Sequence, residues 1–233
     1  MKIAAFALLL ASVAVCAQNA TSASSSQDRF RKQVLQNDHV TVYLVEIPPQ
    51  QATAMHRHDH DTLSIFINGG STQAVAEDGS SVRNRFEPGD VRFRPAPYAH
   101  SVKNTGKDVL RVVDIESAIP VSGEDKRMRK KAHYCNPGSK TACITEDFLF
   151  CKPRFCVDDV TMGPGAKVAK HTHDTDHMVI AITDFSMDDD TEGKGVIKRN
   201  VKSGEVEFFP AGLSHSLTNT TDKEIRFITI LLQ

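Results

Sequence analysis

Net charge is almost absent from this 233-residue chain, in which 28 Lys and Arg stand against 29 Asp and Glu for a formal charge of −1. Nothing in that balance favours nucleic acid or an anionic membrane surface as a partner. The one basic run, KRMRKK at 126–131, reads as a solvated connector. A 3.6-residue hydrophobic period is also missing throughout, so amphipathic helices are not expected. Past the first residues no segment is apolar enough to span a bilayer. Cysteine is sparse, with 5 in all.

What is present begins with an N-terminus that reads MKIAAFALLLASVAVCAQ, one lysine followed by an unbroken apolar and small-residue run from Ile3 to Val15. Val15-Cys16-Ala17 before Gln18 fits a small-x-small cleavage site, so residues 1–17 are expected to be a secretory signal peptide. The expected location is therefore secreted or periplasmic. Cys16 as a lipoprotein cysteine is the alternative, which Val15 fits poorly. Residues 18–38, opening Ser/Thr/Ala-rich, are expected to be a flexible lead-in. Cleavage leaves Cys135, Cys143, Cys151 and Cys156, an even number in an exported chain, for which disulfides are the default. Three pairings are open, with adjacent pairing in chain order preferred.

The stretch HRHDHD at 56–61 places three histidines on alternate positions, the spacing that aims side chains to one face of a strand. An offset of 115 residues repeats its core. His56 meets His171, His58 meets His173, Asp59 meets Asp174 and Asp61 meets Asp176. Further on, Gly89 meets Gly204, Pro95 meets Pro210, His100 meets His215 and Asn104 meets Asn219, with no gap. The chain is two copies of one module. Each copy reads as short β-rich runs broken by Gly and Pro, such as HVTVYLVEI at 39–47 and MVIAIT at 178–183, which argues for sandwiches or closed barrels. The expected divisions are barrel 1 at 39–118, a Cys-containing linker at 119–154 and barrel 2 at 155–233.

These residues resemble the cupin superfamily, and specifically a two-domain cupin. Its first motif is G-x5-H-x-H-x3/4-E-x6-G and its second G-x5-P-x-G-x2-H-x3-N. Copy two keeps the second motif complete in Gly204, Pro210, Gly212, His215 and Asn219; copy one has Pro97 in place of a glycine. The resemblance implies an all-β chain of two tandem double-stranded β-helix (jelly-roll) barrels, each with a metal near its mouth. The two His of the first motif, its Glu and the His of the second would bind the ion. Here the Glu is replaced, by Thr62 in copy one and His177 in copy two. The implied ligands are thus His56, His58 and His100 in copy one, and His171, His173, His177 and His215 in copy two. His60, Asp61, Thr62 and Asp176 are alternatives, His60 because it would face inward on a regular strand, Asp61 and Asp176 only if a bulge turned them in. If one copy has lost its site, copy one is the expected loser.

Iron or manganese is the metal the resemblance favours, with Zn, Ni and Cu as alternatives. The activity it implies is dioxygenase-like oxidation of a small organic substrate. A Mn- or Zn-dependent lyase, decarboxylase or hydrolase is the rival enzyme, and a non-enzymatic small-molecule or metal-binding protein the other class. A small-molecule partner and a possible homodimer complete the expectations. The site itself separates the classes: four converging imidazoles would favour binding, three with open positions catalysis.

Overall fold

The computed structural model describes residues 23–121 and 131–233. The expected signal peptide and nearly all of the basic run lie outside the described residues. The first module contains β1 (Ala23–Ser24), β2 (Arg31–Gln36), β3 (Val40–Ile47), β4 (His56–His58), β5 (Thr62–Phe66), β6 (Gly70–Ala76), β7 (Ser81–Phe86), β8 (Val91–Arg94), β9 (Tyr98–Asn104) and β10 (Leu110–Ser117). The second contains β11 (Ala132–Cys135), β12 (Cys143–Lys152), β13 (Phe155–Met162), β14 (Lys167–Thr172), β15 (His177–Ala181), β16 (Phe185–Thr191), β17 (Gly195–Val201), β18 (Val206–Phe209), β19 (Ser214–Asn219) and β20 (Ile225–Leu232). The all-β, two-barrel expectation holds.

Each barrel is two facing sheets. The first pairs β2-β3-β10-β5-β8 with β1-β4-β9-β6-β7, and the second pairs β11-β12-β13-β20-β15-β18 with β14-β19-β16-β17. Strand alternation sorts the side chains. Along β5 and just beyond, Leu63, Ile65 and Ile67 point away from the barrel interior and Phe66 into it. The outward set joins Val42, Val113 and Ile115 and packs against Val157, Met178, Ile180, Ile228 and Ile230 of the second barrel in one buried cluster. The outer faces of the β2-β3-β10-β5-β8 and β11-β12-β13-β20-β15-β18 sheets thus form a shared core between the barrels. Its burial supplies the hydrophobic driving force that joins them.

A pair of matched contacts locks this interface. Arg111 donates from Nη2 to the Ser203 carbonyl, and Arg226, its counterpart 115 residues on, donates from Nη1 to the Pro88 carbonyl. Each arginine crosses a motif glycine of the other barrel. A Cβ on Gly89 would lie 2.6 Å from Arg226 Nη2, and one on Gly204 2.6 Å from Arg111 Nη2, and both glycines have φ near +85°. Glycine at these two positions is therefore required by conformation and by the close approach of the partner barrel.

Two expected boundaries are corrected. Residues 31–36 of the expected lead-in form β2, and 132–135 and 143–152 of the expected linker form β11 and β12. Arg31 pairs with Val45 on β3, and Glu146, 115 positions later, pairs with Val160 on β13. Both pairings break register at one place, between Gln33 and Leu35 and between Phe148 and Phe150. The two strands are the same element of the repeat. It escapes notice in the sequence because register and bulge are kept there while residue identities are not. The cysteines pair in chain order, Cys135 with Cys143 across β11 and β12, and Cys151 with Cys156 across the β12–β13 turn. Both disulfides suit an oxidising compartment.

Candidate metal centres

Cross-strand register builds each site. His56 on β4 lies opposite His100 on β9, and His171 on β14 opposite His215 on β19. Directly opposed residues share a face. The second His of each H-x-H lies two positions further along that face. The result is His56, His58 and His100 in one barrel and His171, His173 and His215 in the other, with ligand atoms within 4.8 Å of one another in each trio.

In the second barrel, His171 Nε2 is 2.9 Å from His173 Nε2, which is 3.2 Å from His215 Nε2. His171 Nδ1 donates to the Ala169 carbonyl at 3.0 Å, and His215 Nδ1 to Asp189 Oδ1 at 3.0 Å. With their protons committed outward, the Nε2 lone pairs of these two face inward, towards His173. Burial among other imidazoles pushes the His173 pKa down to about 3, and burial lowers that of His215 against the pull of Asp189. Neutral, converging nitrogens repel unless a cation lies between them, so this donor set fits a divalent transition metal. Asp189 is fully buried, and burial would raise its pKa. Hydrogen bonds from Arg199 and Thr191 and the nearby His215 more than offset this, so it stays below the usual value. It fixes the ring orientation and tautomer of His215, the role a carboxylate plays behind a metal-binding imidazole.

His177 does not join the trio. Its ring stacks on His173, with centroids 3.7 Å apart and planes 16° from parallel, and on Phe209 at 5.0 Å from the other side. Asp176 is held elsewhere, accepting from the Ala211 amide and lying 3.2 Å from His39 Nε2. Asp61 likewise accepts from the Ala96 and Val121 amides. Both aspartates brace the loop of the second motif. The inward orientation expected for His60 is corrected: β4 ends at His58, so alternation stops and His60 is exposed. Thr62 is buried and donates to the His60 carbonyl.

The first trio has different supports. His56 Nδ1 donates to the Ala54 carbonyl at 2.9 Å, and His58 Nδ1 to Glu116 Oε1 at 3.1 Å. Glu116 also accepts from Ser25 and Arg31. Burial works against its charge, but the His58 hydrogen bond and Arg31 hold its pKa below the ordinary value. His100 Nδ1 is 3.0 Å from Arg94 Nη1. Tyr98 stacks on His58 at 4.5 Å.

Cavities open onto both trios, of about 270 Å³ in the first barrel and about 520 Å³ in the second. The smaller holds Arg31, Arg92 and Arg94 against Asp114. The larger holds Glu146, Asp158, Asp189 and Glu207 against Lys170 and Arg199, with Phe185, Met187, Phe209 and Phe227 as an apolar wall. Sequence reasoning missed Glu116, Asp189 and Arg94. The signal was available in the offset of 115: their counterparts are Leu231, Ala74 and Phe209, so the copies differ in charge at each.

A pair of jelly-roll barrels, each carrying H-x-H and a distant third histidine across the adjacent strand, is the two-domain cupin fold, and this chain has it. Solved structures agree. AerE from Microcystis aeruginosa superposes with a TM-score of 0.61 at 13% identity, covering 88% of this chain and 98% of its own. A cupin 2 conserved barrel domain protein from Leptotrichia buccalis gives 0.57 at 16% identity, over 91% and 92%. Bacillus subtilis oxalate decarboxylase, described with Mn(II) centres, gives 0.58 at 14% identity, over 84% and 69%. No family model matches the sequence. No curated protein matches it either.

Proposed function

We propose that the protein is a metal-dependent enzyme whose working centre lies in the second barrel. His171, His173 and His215 hold a divalent transition metal there, iron or manganese foremost, and the reaction is dioxygenase-like oxidation of a small organic substrate. One observation carries the reading: three imidazoles converge and the fourth, His177, is stacked aside. Three ligands on one side leave positions facing the cavity open. Such a centre supplies, when loaded, the redox and Lewis-acid chemistry that the cavity's side chains lack. Neutral imidazoles leave the ion its full charge, which favours an anionic chelating substrate. Phe185, Phe209 and Phe227 exclude water from one side, while Arg199 and Glu207, joined at 3.0 Å, give a polar edge that can orient the substrate.

A manganese-dependent lyase or decarboxylase is the second reading. The fold of oxalate decarboxylase supports it, as does Glu207, a carboxylate in the cavity available for proton transfer. Anaerobic purification, metal analysis and an O2-uptake screen over small carboxylates, enols and catechols test both. O2 consumption matched to substrate loss supports the first reading. Substrate loss without O2 consumption supports the second. Stoichiometric metal with neither outcome makes the protein a binding module.

A further inference from the structure

We infer that the first barrel's histidine trio is not a resident metal site, because Arg94 occupies the lone pair His100 would need. A neutral imidazole has one lone pair in its ring plane, on whichever nitrogen lacks the proton. A guanidinium has only donors and stays protonated in proteins. Arg94 Nη1 lies 3.0 Å from His100 Nδ1, so Nδ1 is the acceptor and the ring proton sits on Nε2. Neither nitrogen of His100 is left for a metal. His56 and His58 differ, since both direct Nδ1–H at oxygen acceptors and their Nε2 atoms converge at 3.1 Å, so two donors remain and the third is blocked.

The second barrel has the opposite arrangement at the same place. There His215 Nδ1 gives its proton to Asp189, which frees Nε2. The position equivalent to Arg94 is Phe209, which cannot compete. Arg94 is also fixed from a second side, with its guanidinium 4.6 Å from the Tyr98 ring centroid. Among the described residues neither Arg92 nor Arg94 pairs with a carboxylate, so both add positive charge to a cavity whose Arg31 is already balanced by Asp114 and Glu116. That field opposes entry of a cation. Thr62, standing where a carboxylate would help, offers a neutral hydroxyl.

The test uses the metal-free full chain and Co(II) as probe, followed by calorimetry and ligand-field absorption. In a His173→Ala/His215→Ala background only the first barrel can answer, so the outcome does not depend on the function proposed above. That background should bind Co(II) no better than the same chain carrying His100→Ala. Adding Arg94→Leu should create one site per chain, with affinity above that residual level on the order of 10- to 100-fold. Arg94→Glu, which can accept from His100 Nδ1 as Asp189 does from His215, should raise it further, and His100→Ala on top should abolish it. Unchanged thermal unfolding would show that the variants fold. The inference is overturned if the background binds one Co(II) that His100→Ala removes, or if neither Arg94 variant gains metal. A His58→Ala/His100→Ala chain reads the second barrel separately: if that chain binds none, the reading of the second barrel fails and the inference stands.

Discussion

The two barrels share their main strand order and even one bulge, yet the polar groups around their histidines are exchanged. Where the second barrel has Asp189, Glu207 and Glu146, the first has Ala74, Arg92 and Arg31; where the first has Glu116 and Arg94, the second has Leu231 and Phe209. The three imidazoles of each trio match in number and register. Duplication therefore preserved the scaffold and the donor atoms. Divergence acted on the partners that decide which nitrogen carries the proton and what charge the cavity prefers.

The difference can be broken most sharply at the ligands. His173→Ala is expected to strip the purified protein of transition metal, and His58→Ala to leave metal per chain unchanged, as read by elemental analysis. Equal losses from both would erase the distinction between the barrels.

A stability comparison comes next, at positions 31 and 146. Arg31, with only 2% of its side chain exposed, bridges Asp114 and Glu116 at 2.9 Å each. Arg31→Ala leaves two carboxylates uncompensated and should cost about 3–5 kcal/mol in denaturant unfolding. Its counterpart Glu146 accepts one exposed hydrogen bond from Tyr134, so Glu146→Ala should cost less than about 1 kcal/mol. Similar costs would mean that the first barrel's buried network has no special structural weight.

Asp189→Asn tests the partner rather than the ligand. It should lower metal affinity on the order of 10- to 100-fold while the fold persists. Glu116→Gln should leave metal content as it was, since the imidazole it orients serves a trio that Arg94 keeps incomplete. Metal titrations of the two variants side by side give the answer.

How much of this could be read from the sequence depends on distance along the chain. The barrels, their repeat and the convergence of the two histidine trios were legible, because H-x-H and the second motif place those residues at fixed local spacing. The equivalent strands β2 and β12 were not, because they keep only geometry. Glu116 was visible only as a charge difference at the offset of 115; that it meets His58 across 58 residues follows from strand pairing that no local pattern encodes. His177 misled for a different reason. Four residues after His173 its ring does reach the neighbourhood, but as a flat surface rather than a donor.

That last point carries the smallest expected effect. The ring of His177 lies between His173 and Phe209, so its contribution is to hold the His173 plane rather than to supply a nitrogen. Phenylalanine can fill the same slot and keep both stacks. His177→Phe should therefore change metal affinity by less than about threefold, well short of the 10- to 100-fold that a lost hydrogen-bonded support brings. His177→Ala removes the brace as well and should fall between the two. Loss of the metal in His177→Phe would instead place an imidazole nitrogen of His177 in the coordination sphere. The second barrel would then be a closed four-histidine site, and a binding role would displace catalysis as the better account of the protein.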